Sequence, residues 1–285
     1  DPRLRGDDKQ IIMFESPVKI RDLILLSFFS TMIVFYIFLS SFFDERTKIV
    51  FCNVGQGDGA YIRIKNKIDV LIDAGPDKSI LSCLGKYMPF WDRKIELAFL
   101  SHPNTDHYNG YFFIVDRYKV DRFITVNTSG LIVSKTYKKL LQKISDKNIP
   151  LLFKVAGDQI RVDGGQFRFY WPPVGFRSPN DNDFSSVILF NGVLFTGDAS
   201  PFVLGRLSHG AIKKVDILKV PHHGSKNGLT KKFLDLADPS TAVISSGKNN
   251  SYGHPSKEVL DMLKAKNVQI KRTDMDGSVI FNSKE

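Results

Sequence analysis

Two imidazoles and a carboxylate fall within six residues at His102, Asp106 and His107, inside the heptad Ser101-His102-Pro103-Asn104-Thr105-Asp106-His107. Neutral imidazole and ionised carboxylate are donors that zinc and manganese accept. Alone, such a heptad reads as readily as a solvated polar loop. Two later stretches weigh against that reading. Leu194-Phe195-Thr196-Gly197-Asp198 and Val220-Pro221-His222-His223-Gly224 also run from apolar residues into Asp or His. Three apolar runs ending in ligand-type residues predict one metal centre assembled from distant parts of the chain.

The elements that would carry these residues follow from hydropathy. Residues 95–100 are apolar and read as a buried strand, and residues 108–118 as a short helix. His102, Asn104, Asp106 and His107 then share a strand-to-helix loop, where side chains converge in a way that a strand's alternating faces do not permit. Residues 49–51, 60–64 and 68–72 are short strand-like runs separated by turns, an antiparallel meander. Helices are expected at 77–88, 132–144, 231–237 and 256–266. Strands are expected near Leu151, Phe167 and Val187, then, after the Asn191-Gly192 turn signal, at 193–196. Residues 215–220, 241–244 and 279–281 complete a second strand set. Strands and helices alternating in blocks predict two mixed sheets with helices on the outer faces, an α/β (α+β) sandwich.

The order His102-x-x-x-Asp106-His107, Gly197-Asp198, His222-His223-Gly224 resembles the metallo-β-lactamase superfamily, and more narrowly the hydrolase domain of ComEC/Rec2-type competence proteins. Val54-Gly55-Gln56-Gly57-Asp58 is similar to that group's opening motif. Leu71-Ile72-Asp73-Ala74-Gly75, Asn180-Asp181-Asn182, Tyr252-Gly253-His254-Pro255 and Arg272-Thr273-Asp274-Met275-Asp276-Gly277 add to the likeness, which covers residues 48–282. The resemblance implies an αββα sandwich. It implies one metal position held by Asp106, His107 and His222, with Asp198 as a bridge. His102 and Asn104 would serve a second position, which lacks its usual second imidazole at Asn104 and its third altogether. That leaves one or two ions of zinc or manganese. Asn182 and Asp183 are the reserve donors for the incomplete position. Asp106 also belongs to the reacting centre, with His223 and His254 acting on substrate or behind the ligands. Gln56 and Asp58 are expected near the site, and Asp73 behind a ligand imidazole. His209 reads as a surface residue.

Residues 23–43 form 21 uncharged positions, enough at about 1.5 Å per residue to span a hydrocarbon core. A signal peptide is the rival reading, but the run is long for one and no small-x-small site follows it. This divides the chain into a flank (1–22), a transmembrane helix (23–43) and a hydrolase domain (44–285). The chain opens on Asp1 rather than Met, as expected of a processed or trimmed chain or a piece of a longer one. Five Lys/Arg precede the span and three lie in the 20 residues after it. The positive-inside rule therefore leans toward a domain outside the cytoplasm, on a single-pass cell-membrane protein.

The five basic and five acidic residues of 1–43 cancel, so the net charge of +10 belongs to the remainder and favours an anionic partner. Lys213, Lys214, Lys219, Lys226, Lys231 and Lys232 crowd the segment around His222 as a basic rim suited to a phosphate backbone. Cys52 and Cys83 form no Cys-x-x-Cys pair and no disulfide framework, and neither is a candidate ligand. The function expected is metal-dependent hydrolysis, a phosphodiesterase or nuclease acting on DNA in competence-type uptake. The partners expected are DNA, the membrane and a ComEC-type channel subunit or upstream channel helices, with no nucleotide cofactor. The alternatives are a non-catalytic DNA-binding or channel-supporting domain with a degraded site, and a hydrolase of another ester.

Overall fold

The computed structural model describes residues 19–42, 46–129, 131–207, 212 and 214–283. The chain falls into two units, Asp1–Asp44 and Glu45–Glu285. Of the first unit, the described part is the helix Ile20–Phe42, which starts three residues before the expected span. Leu, Ile and Phe point outward all round it, and none of Ile20–Ile37 is buried within the protein. A helix apolar on every side has no core of its own to face. Phe43, Lys213 and His209 lie outside the described residues.

The second unit is a mixed α/β sandwich of two seven-stranded sheets. The first runs, in spatial order, Val279–Ser283, Thr47–Phe51, Gly59–Ile64, Ile68–Ala74, Leu97–Phe99, Phe123–Thr125, Leu151–Phe153. The second runs Gln269–Arg272, Thr241–Ile244, Ile217–Lys219, Val193–Phe195, Val187–Phe190, Gly165–Trp171, Gln159–Val162. Phe51, Ile62, Phe99, Phe167, Phe190 and Phe195 interleave between the sheets. Each fully buried Phe contributes about 1.5–3 kcal/mol. The outer face of the first sheet is covered by the helices Ser79–Tyr87, Tyr111–Arg117 and Lys135–Asp146, and that of the second by Lys231–Ala237 and Lys257–Ala265.

Most expected elements appear within a few residues of their predicted bounds. The Asn191-Gly192 turn forms with both residues at positive φ, as a tight hairpin requires. Three readings change. The last strand, Val279–Ser283, leaves the second set and pairs antiparallel with Thr47–Phe51 in the first sheet. Sheet membership is a long-range choice that local hydropathy does not encode. The helix after Ile132 starts only at Lys135, because Ser134 caps it by accepting the Tyr137 N–H, and Ile132 is left exposed. Cys52 and Cys83, read as giving no disulfide framework, are joined in a disulfide with Cα atoms 5.8 Å apart. One directly follows the first strand and the other faces inward from Ser79–Tyr87, so the fold brings together two cysteines that sequence spacing keeps apart.

Candidate metal centre

The strands Ile68–Ala74 and Leu97–Phe99 run parallel, and the chain leaving both meets the ends of Val193–Phe195 and Ile217–Lys219 across the sandwich. Asp106 and His107 sit on the single helical turn Thr105–Tyr108. Asp198 follows Gly197, whose φ of +49° turns the chain. His222 and His223 are both at φ 53°, a left-handed bend that aims adjacent rings in different directions. The glycine-rich loop closes over this end. Gly57 is at φ +148°, and a Cβ there would sit 2.3 Å from the Asp106 carbonyl oxygen. The Asp58 N–H donates to that same oxygen at 3.2 Å.

Ligand atoms of Asp106, His107, Asp198 and His223 lie within 4.8 Å of one another. His107 Nε2 is 3.3 Å from Asp198 Oδ1, and His223 Nε2 is 3.1 Å from Asp106 Oδ2 and 3.4 Å from Asp198 Oδ2. The far nitrogen of each ring is held. His107 Nδ1 sits 2.9 Å from Asp73 Oδ2, and His223 Nδ1 sits 3.0 Å from the Ser245 carbonyl oxygen. Asp73 in turn accepts from the Ser101 N–H at 2.8 Å and the Ser101 hydroxyl at 2.7 Å. Outer partners of this kind fix a ring's tautomer and turn its free nitrogen toward a metal. Buried His102 Nε2, His107 Nε2 and Asp198 Oδ1 make no hydrogen bond. Buried polar atoms without partners are costly, and this donor set fits a divalent cation.

Electrostatics agree with that fit. Burial opposes charge on His107, but the Asp198, Asp73 and Asp106 carboxylates outweigh it and raise its pKa well above the ordinary range. Burial likewise opposes charge on His223, and Asp198 and Asp58 outweigh it. Burial opposes ionisation of Asp198, yet His223 and His107 hold it well below the usual carboxylate range. Protons on the two rings thus supply positive charge that an incoming cation would displace. His102 behaves oppositely: burial, aided by the positive His107 ring, pushes it down to about 3.

The expected residues are not all placed as expected. His223, read as acting behind the ligands or on substrate, joins the four-residue cluster. His222, read as the ligand, is half-buried, with Nε2 3.9 Å from Asp198 Oδ2. His102 is buried, its ring 4.2 Å from that of His107. The Asn104 amide donates to Asn182 Oδ1 at 2.8 Å, whereas Asp183 is turned away onto Ser178, Asn180 and Ser200. His254 lies 5.9 Å from the His222 ring and stacks on exposed Tyr252. Gln56 Oε1 accepts the Gly247 N–H at 3.1 Å. Thr273, in the last motif, donates to the Ser246 carbonyl and accepts the Ser246 N–H, bracing the loop whose Ser245 carbonyl holds His223.

Lys219 does not belong to a basic rim. It alternates with Ile217 onto the inner face of its strand and is 3 % exposed. Its ammonium donates to the Gly197 carbonyl at 2.9 Å and pairs with Asp58. Asp58, Asp73 and His107 have the spacing of a second cation site. The Lys219 ammonium already neutralises Asp58, and Ser101 and His107 already occupy Asp73. Lys219, Ser101 and Ser245 are the contributors that sequence reasoning missed. For Lys219 the signal was present, as a lysine in phase with buried Ile217. Lys214, Lys226, Lys231 and Lys232 are exposed.

Comparison with known proteins follows the same lines. The model of the metallo-beta-lactamase superfamily matches residues 53–248. ComE operon protein 3 of Bacillus subtilis (strain 168) is 27% identical over 278 residues, covering 88% of this chain and 35% of that protein. Competence protein ComA of Neisseria gonorrhoeae is 32% identical over 254 residues, covering 84% of this chain and 32% of that protein. The chain thus spans about a third of the length of these relatives. The metallo-beta-lactamase fold protein YhfI of Bacillus subtilis superposes with a TM-score of 0.58 at 12% identity, covering 84% of this chain and all of that one.

Proposed function

Because the chain belongs to the metallo-β-lactamase superfamily, we propose that it is a membrane-anchored metallo-hydrolase that cuts phosphodiester bonds of DNA during uptake. The observation that carries this reading is the convergence of Asp106, His107, Asp198 and His223, with His107 Nε2 and Asp198 Oδ1 buried and without a hydrogen bond. These four would hold one ion. His102, with its unbonded Nε2, is the donor left for a second, and Asn104 adds only a neutral amide oxygen. A divalent ion, zinc or manganese, supplies acidified water and polarisation of a phosphoryl oxygen.

The chain's own residues do the rest. Asp73 and the Ser245 carbonyl keep the His107 and His223 rings oriented. Asp106, the most accessible of the four, faces the open side, where a carboxylate can orient attacking water. His222 and His254 line that side. Burial holds both below the ordinary imidazole pKa, so each is neutral and can donate one hydrogen bond to a phosphoryl oxygen. Exposed Lys214, Lys226, Lys231 and Lys232 suit a sugar-phosphate chain. Similarity to competence proteins supports DNA uptake as the setting, with a ComEC-type channel subunit or upstream channel helices as the partner.

The helix Ile20–Phe42 is read as a membrane span. The Cys52–Cys83 disulfide supports an oxidising, extracytoplasmic location for the domain, in line with the charge distribution around the span. The test is metal content of the purified full chain, paired with cleavage of single-stranded DNA before and after chelation and metal restoration. Retained metal with metal-dependent cleavage is expected. A chain that binds no divalent metal, or that leaves DNA intact when loaded, overturns the reading.

A further inference from the structure

The exposed apolar residues of the hydrolase domain include a paired aromatic tip. Phe90 is 79% and Trp91 60% exposed, on the turn between the helix Ser79–Tyr87 and the strand Lys94–Ile95. Their rings meet edge to face at 4.9 Å, so the pair is a preformed feature rather than two unrelated side chains. Exposing two large aromatics to water is unfavourable, and a soluble surface gains nothing by it.

The tip occupies a particular end of the first sheet. Asp92, next to Trp91, accepts from the Arg63 guanidinium at 3.1 Å. Arg63 is in register with Lys48, the second residue of the first strand. The turn therefore lies where the chain enters the domain. Thr47–Phe51, Ile68–Ala74 and Leu97–Phe99 all run away from this end. Asp73 and the heptad that starts at Ser101 lie at the far end. Strands of five to seven residues separate the two ends by roughly 20 Å.

The surroundings are basic. Lys67, Lys86, Arg93 and Lys119 are exposed at this end. Among the described residues, the acids beside the tip are engaged: Asp69 and Asp92 by Arg63, Glu96 and Asp121 by Lys94. Amphipathic Trp with flanking Lys and Arg is the composition of a membrane–water interface, and such clusters favour anionic lipid. Only residues 43–46 separate the end of the helix Ile20–Phe42 from Thr47. A fully extended chain of that length reaches about 17 Å.

We propose that the Phe90–Trp91 tip, with Lys67, Lys86, Arg93 and Lys119 around it, docks on the headgroup layer of an anionic bilayer. The docked domain then presents its metal-site end away from the lipid. This rests on reading Ile20–Phe42 as a membrane span.

The chain has two tryptophans, and the other, Trp171, is buried and donates to the Asp183 carbonyl at 2.6 Å. The full chain carrying Trp171→Phe, reconstituted in phosphatidylglycerol vesicles, therefore reports on Trp91 alone. Replacing the lipid with one brominated near the headgroup should remove most of the Trp91 emission. Lys86→Glu combined with Arg93→Glu should restore much of it. If Trp171→Phe fails to fold, the same quantity is the difference in quenching between the wild type and Trp91→Phe. A chain that resists alkaline carbonate extraction yet shows the unquenched emission of a water-exposed indole overturns the docking and leaves the span intact. Release by carbonate overturns the span and the docking together.

Discussion

Asp73 and His107 meet at 2.9 Å although 34 residues and two strands separate them. Asp73 sits at φ 57° at the end of its strand, which swings the carboxylate sideways under the imidazole. His107 then has one nitrogen fixed and the other directed at Asp198. Asp73→Asn should keep the fold and lower divalent-metal affinity by about 10–100-fold, the usual cost of losing such an outer partner. His107→Ala should abolish tight binding. Competition against a chromophoric chelator measures both, and wild-type affinity in Asp73→Asn would show that the carboxylate plays no part in holding the ligand.

Adjacent His222 and His223 should behave differently. His223 Nε2 stands within 3.4 Å of Asp106 and Asp198, whereas His222 Nε2 reaches only to 3.9 Å from Asp198. His223→Ala should lose tight metal binding. His222→Ala should retain metal and lose turnover on DNA. Metal content by elemental analysis decides between them, and the reverse pattern would return the ligand role to His222.

Asn104 and Asn182 share a hydrogen bond between neutral amides at 2.8 Å, two residues along the chain from His102, whose buried Nε2 makes no hydrogen bond. Asn104→Asp adds a charged oxygen there and should raise occupancy by a second ion, most visibly with manganese. Titration followed by elemental analysis gives the stoichiometry. A wild type that already binds two ions, unchanged by the substitution, would mean that another residue completes the second position.

The parts legible in the sequence were those with a local signature. An apolar run ending in Asp or His is visible at Asp198 and at the heptad, and the structure brings these ends together. Which of His222 and His223 turns inward depends on two left-handed residues in succession, a backbone choice that hydropathy does not record. Lys219 was misread because it was grouped with Lys214, Lys226, Lys231 and Lys232, which are exposed along the same segment, while its neighbours in space are Asp58 and the Gly197 carbonyl. The last strand and the cysteine pair were missed for a related reason, since both depend on which distant segment lies alongside.

His102 gives the metal-free protein an acid-sensitive step. Its folded pKa is about 3, while an unfolded chain protonates this ring near the ordinary value of about 6.5. Between those values the unfolded state binds more protons, so stability is full above the upper one and is lost as pH falls toward the lower. His102→Gln should flatten the pH dependence of urea unfolding in that window. The difference from wild type should approach about 1.4 kcal/mol per pH unit at mid-window. Parallel curves for the two proteins would mean that the ring is not held neutral.

The Cys52–Cys83 bond has a topological consequence. It closes residues 52–83 into a covalent ring that contains Asp58 and Asp73. Exposed Lys67 and Lys78 offer a trypsin-like protease places to cut inside it. One cut opens the ring without releasing either piece, so both carboxylates stay attached to the same molecule. A clipped chain should migrate as one species on a gel without reductant and as two fragments with it. On the proposed extracytoplasmic side of the membrane, where proteases are plentiful and thiol reductants scarce, the bond would let the segment under the candidate metal centre survive a clip.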